Sequence, residues 1–144
     1  MHLAKSKEDI DLIMQLIDQY SLELDDPPFD VDRDYLKEYL RAIKDREDHI
    51  LLLEEDKGFI FGLVNNYPWN TRLLGFVHLI FVMPESRGTG LCIKLIRAYE
   101  EWVKAMGAEF CTLSSISGIN DKALKFNLRL LGYKETGFEF RKEI

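Results

Sequence analysis

Residues 87–92, Arg-Gly-Thr-Gly-Leu-Cys, form a glycine turn between an apolar run at 76–82 and an amphipathic stretch beginning at Leu91. Strand, glycine turn and helix, in that order, make a holder for a phosphate group. Gly88 and Gly90 carry no Cβ, so the backbone there can take positive φ and come close to a ligand. The first amides of the following helix point outward without partners, at the positive end of the helix dipole, which suits a pyrophosphate. Neither the P-loop nor the Rossmann glycine spacing is present. The plain alternative is a turn that merely connects a strand to a helix.

His78 lies on the strand entering that turn, and alternation puts it on the same face as Phe76, Ile80 and Val82. Imidazole titrates near neutrality, so His78 is a candidate general base. A buried histidine bonded to a backbone carbonyl fits the same position. Glu23, Asp25, Asp26 and Asp30 load a loop fixed by Pro27 and Pro28 and carrying Phe29. These carboxylates attract an amine, or they are simply solvated. Trp69, in the loop at 65–72, either walls a ligand pocket or lids the core. Cys92 and Cys111 form no CxxC pair and read as reduced thiols, and the scattered His2, His49 and His78 give no reason to propose a metal site.

Positioning these groups requires an ordered scaffold. The chain has 144 residues, 47% apolar and 31% charged, which is enough for a single domain, 1–144, with a real core. Its longest apolar runs fall far short of the ~20 residues that span a bilayer, and the first ten residues lack a signal-peptide stretch. The expectation is a cytoplasmic protein without membrane contact. A net charge of -6 argues against a nucleic-acid surface and is compatible with a cationic acceptor.

The pattern predicts β1 at 2–5, then α1 at 7–22 with Ile10, Ile13, Met14, Ile17 and Tyr20 on one face and a capping box at Ser6 and Asp9. A second helix, α2, starts near Asp32. Strands β2 (49–54), β3 (58–64) and β4 (73–82) form an antiparallel meander, with a hairpin turn at 55–57. Helix α3 follows the glycine turn and ends at Gly107. Strand β5 (109–115) is parallel to β4 through the strand-helix-strand connection. Helix α4 (120–131) and a short hairpin, β6 at 133–136 and a possible β7 at 137–141, finish the chain.

Arg-x-x-Gly-x-Cys at 87–92, within this element order, resembles the acetyl-CoA signature of the Gcn5-related N-acetyltransferases (GNAT), and the resemblance covers nearly the whole chain. It departs from the pattern at Cys92, where the family has Gly or Ala. The resemblance implies an α/β (α+β) fold, a mixed central sheet of six to seven strands with four helices. It also implies pyrophosphate on the backbone of Arg87, Gly88, Thr89, Gly90, Leu91 and Cys92, and pantetheine along Ile80 and Val82. Asn120, opening an Asn-x-x-Ala pattern, would pair with the pantetheine or cap its helix. The tyrosine that often protonates the departing thiolate falls at Asn127 counting from Asn120, or at Leu128 counting back from Gly132, and neither can act as an acid, though the Asn127 amide can hydrogen-bond the sulfur. Water, Tyr133 or no acid at all are the alternatives. The spacing of His78 from Arg87 resembles the strand histidines that act as bases in arylalkylamine members. Asp25, Asp26, Phe29, Trp69 and Ser114 border the implied acceptor site, and Ser115 and Cys111 share the strand of Ser114.

The implied activity is transfer of an acyl group, most simply acetyl from acetyl-CoA, to a primary amine of a small molecule or protein by direct attack in a ternary complex. The rival is a non-catalytic acyl-CoA-binding or regulatory domain. Dimerisation through the last strands, seen in relatives, is implied as possible.

Overall fold

The computed structural model describes residues 1–115 and 117–144. Helix α1 (Lys7–Glu23) begins at a capping box: the Asp9 amide donates to the Ser6 hydroxyl at 3.0 Å, and the Asp9 carboxylate accepts from the Ser6 amide. Asp32 caps α2 (Arg33–Ile43) by accepting from the Tyr35 amide at 3.0 Å. Apolar residues at helical spacing, Ile10, Ile13, Met14 and Ile17 from α1 with Leu40 and Ile43 from α2, are buried together on one side of the sheet.

The sheet runs in the order β1 (His2–Leu3), β2 (His49–Glu54), β3 (Gly58–Asn65), β4 (Leu74–Val82), β5 (Phe110–Leu113). All pairs are antiparallel except β4 with β5. Leu51, Leu53, Phe59 and Phe61 face α1 and α2, whereas Ile50, Leu52 and Ile60 face α3 (Leu91–Ala105). Both faces are covered, which is why these strands read as continuous apolar runs.

Helix α3 comes unusually close to the sheet. A Cβ at Gly62 would lie 2.6 Å from the Tyr99 ring, and one at Gly75 would lie 2.6 Å from a Val103 methyl. Tyr99 and Val103 are fully buried over those two positions. Past α3, Gly107 takes φ +85 and ends the helix as its spacing predicts. Helix α4 (Asp121–Leu130) follows β5.

Among the described residues the sheet has five strands, not the expected six to seven, because no strand forms among residues 133–144. Phe138 and Phe140, at 86% and 87% exposure, pack their rings against each other with centroids 5.1 Å apart instead of against the sheet. A two-stranded hairpin without an apolar face to rest on is marginal in water. β5 is also shorter than predicted, ending at Leu113.

Candidate active site

The pairing of β4 with β5 runs only from Leu74↔Phe110 to Val77↔Leu113. Beyond it β4 continues to Val82, still paired with β3, while its other edge opens onto a cleft of about 470 Å³. Ile80 and Val82 form one wall, and Ser114 and Ser115 line the other. Ala123 and Asn127 project from one stripe of α4, and with Asn120, just ahead of the helix, they close the side.

The glycine turn closes the end of this cleft. A single 3-10 turn, Pro84–Ser86, leads into Arg87, and Gly88 and Gly90 then take φ +79 and +83. Thr89 does not line the cleft. Its hydroxyl donates to the Ser86 carbonyl at 2.6 Å and staples the turn. A Cβ built at Gly88 or at Gly90 would meet no protein atom within 4 Å, so the space in front of the turn is open. No side chain caps the first turn of α3, whose leading amides therefore face that space. Leu91 and Cys92 also line it. Burial pushes the Cys92 thiol pKa up, and the neighbouring Asn127 amide partly offsets this. Shape and donors fit a phosphate group.

The Arg87 side chain turns away from the turn's own amides. Its Nε donates to the Val82 carbonyl at 3.0 Å, its terminal nitrogen pairs with Glu23 at the end of α1, and the guanidinium lies 5.6 Å from the Phe81 ring centroid. The Val82 carbonyl, expected to meet pantetheine, thus already has a partner. Asn120 takes φ +51 and makes no capping bond, so the helix-cap reading of this residue does not hold.

His78 does not share a face with Ile80 and Val82. Phe61 pairs with Leu79 and Gly62 with Val77, which leaves His78 as the extra residue of a β-bulge. The bulge breaks the strand alternation. Ile80 and Val82 pack toward α3, while the His78 ring lies 5.1 Å from Phe61 on the α1 side. His78 remains reachable from the cleft mouth. Burial of the rest of the ring lowers its pKa from the ordinary histidine value, with a smaller contribution from nearby His49. His49 also stacks on Phe61, with centroids 6.2 Å apart, and its Nδ1 bonds Asp48 at 2.7 Å.

Of the acceptor-side residues, Ser114 lines the cleft, whereas Asp25, Asp26, Phe29 and Trp69 do not. Phe29 is 86% exposed, and Trp69, at 78%, is no lid on the core. It stacks on Tyr67 at 4.6 Å, and Tyr67 stands edge-on to Phe76. The Asp25 amide donates to the carbonyl of the cleft-lining Ser117 at 3.1 Å, while Asp26 is held by Arg141 at 2.7 Å. Tyr133 lies outside the cleft lining, among groups that include Cys111 and Glu100, and burial raises its pKa. Burial also raises the pKa of Cys111 despite its bond with Tyr133.

Tyr20 lines the cleft mouth, edge-on to Phe81 with centroids 5.8 Å apart, and burial raises its pKa so that it stays protonated. Its helical spacing shows only that it faces inward, and the sequence gives no sign that it reaches a cleft. Among the described residues, no cluster of three potential metal ligands occurs, and no helix is long and apolar enough to cross a membrane.

The cleft thus opens where a parallel strand pair parts and is closed by a glycine turn, an arrangement that fits an acetyltransferase fold. The family model for the acetyltransferase (GNAT) family matches residues 14–133, and the chain belongs to that family. A search of curated protein sequences finds no significant match. Solved structures with the same fold include an aminoglycoside acetyltransferase from an uncultured soil metagenomic sample, at 19% identity and TM-score 0.71, covering 96% of this chain and 94% of that one. AAC(6')-Iy, in complex with the bisubstrate analog CoA-S-monomethyl-acetylneamine, matches at 19% identity and TM-score 0.67, covering 96% and 94%. The ribosomal-protein-alanine N-acetyltransferase of Brucella melitensis biovar Abortus matches at 14% identity and TM-score 0.67, covering 95% and 94%.

Proposed function

We propose that the whole chain acts as one N-acetyltransferase domain that moves acetyl from acetyl-CoA to a primary amine by direct attack in a ternary complex. The observation that carries this reading is the open space before Gly88 and Gly90 at the end of a cleft whose β4 edge is unpaired. The turn amides of Gly88–Cys92 hold the diphosphate. The free backbone of Ile80 pairs with the pantetheine amides, as an added strand would. Asn120, uncommitted as a cap, takes a further amide.

The thioester supplies an activated acyl group, leaving binding, orientation and proton handling to the protein. His78 sits at the bulge, with its pKa lowered so that it is neutral at neutral pH. It takes the proton that the acceptor ammonium must lose before it can attack. Asn127 stands by the Cys92 thiol and serves as a hydrogen-bond donor rather than an acid. The acceptor is a small molecule or protein amine that enters beside Ser114 in the cleft, with the exposed Asp25, Asp26, Phe29 and Trp69 as its further candidate contacts. Two free thiols, Cys92 and Cys111, support a cytoplasmic setting. The uncovered outer edge of β5, with Phe138 and Phe140 exposed, supports a homodimer.

A second reading is favoured by Asn127: a protein that binds acyl-CoA and transfers nothing. Calorimetric titration with acetyl-CoA, followed by thiol release with a panel of amines, separates the two. Binding with amine-dependent thiol release supports the enzyme. Binding without release for any amine supports the sensor, and no binding sinks both.

A further inference from the structure

Arg87 is the only lysine or arginine lining the cleft among the described residues, and no carboxylate lines it. Its charge is nevertheless spent on Glu23, 64 residues away in sequence. Glu23 is the last residue of α1, at the negative end of the helix dipole, and no basic residue of the helix's last turn offsets it. The Gln19 amide donates to its other oxygen at 3.1 Å. Two residues on, Asp25 is tied to Ser117 on the opposite side of the cleft. The end of α1 therefore bridges both walls, and the Arg87–Glu23 pair is its tie to the wall that carries the glycine turn.

We propose that this pair is a counter-ion exchange that orders the two substrates, an inference that rests on the donor site described above. A diphosphate at the glycine turn carries more charge than one carboxylate and competes for Arg87. The Nε bond to the Val82 carbonyl serves as the pivot while the terminal nitrogens change partners. Glu23 is then left as an unpaired carboxylate at the negative end of α1, and it takes the ammonium of the acceptor. Donor binding thereby creates the acceptor's anionic site.

The test uses CoA itself, titrated calorimetrically into wild type, Glu23→Gln and Asp18→Asn, with thermal melts to show that each is folded. Removing the competing carboxylate makes Glu23→Gln bind CoA roughly fivefold tighter, the scale of a partly exposed ion pair. Asp18→Asn, on the same helix but paired with Arg33, stays within about twofold of wild type. Unchanged or weaker binding by folded Glu23→Gln overturns the exchange and makes the pair a fixed clasp of the turn. An equal gain in Asp18→Asn also overturns it, because the effect would then be general charge removal. If wild type binds no CoA, the donor site itself is wrong and the exchange falls with it.

Discussion

Gly90→Asn separates the fold of the glycine turn from its use. Gly90 stands at φ +83, ψ +1, just before α3, and a Cβ there meets no protein atom within 4 Å. Asparagine is among the residues that best tolerate the left-handed region, so the folded protein should lose only about 1 kcal/mol. For a chain of this size that lowers the melting temperature by about 3 °C. The new side chain nevertheless fills the space in front of the α3 amides. If a diphosphate belongs there, at least two charge-assisted hydrogen bonds are lost, about 3 kcal/mol together, or roughly a hundredfold in affinity. The assay is CoA titration by calorimetry beside a thermal melt of the same preparation. Undiminished CoA affinity in the folded variant would refute the placement of the phosphates. A melting point depressed far more than predicted would show that the turn front is not open.

If His78 is the base, kcat/KM falls as pH drops through a value below the ordinary histidine pKa, because the lowered pKa keeps the ring neutral above it. His78→Gln removes that acid limb and lowers kcat roughly a hundredfold at neutral pH. An unchanged pH profile rejects the assignment. Gly75→Ala forces a methyl against the Tyr99 hydroxyl, 2.5 Å away, and a Val103 methyl, and should cost about 1–3 kcal/mol in urea unfolding. A neutral result would mean that α3 can move off the sheet freely. Sedimentation velocity should show a dimer that Phe138→Ser with Phe140→Ser converts to monomer, and a wild-type monomer ends that proposal. Asn127→Tyr should raise turnover if departure of the thiolate is limiting. No change would mean that a donor such as the Tyr20 hydroxyl or water already serves.

The scaffold was legible because it rests on periodicity. Ile10, Ile13 and Ile17 repeat at helical spacing, Ser6 and Asp9 cap as their types dictate, and the glycine turn takes the positive φ that only glycine holds easily. The site was less legible because its decisive features are relations between distant segments. Nothing near His78 announces a bulge, which is a mismatch in residue count between β3 and β4 and so belongs to the pair of strands. Arg87 looked like part of a phosphate loop, while its partner Glu23 looked like one carboxylate in an acidic run. Of the two readings of Trp69 the core lid failed, because an apolar ring in a loop satisfies either a core or a surface stack, and stacking on Tyr67 leaves no mark at any regular spacing. The final hairpin failed for the opposite reason: Phe138-Glu139-Phe140-Arg141 alternates as a strand should, but alternation needs a surface to face.

The parting of β4 from β5 has a cost beyond catalysis. From Ile80 to Val82 one side of β4 presents backbone donors and acceptors with no strand beside them, in the middle of an apolar sheet. Such an edge is a template for another chain's backbone, and proteins ordinarily hide it with charge, proline or a covering element. Here the guard is Arg87, seated on the Val82 carbonyl. An extended ligand bound along the same edge would complete that guard.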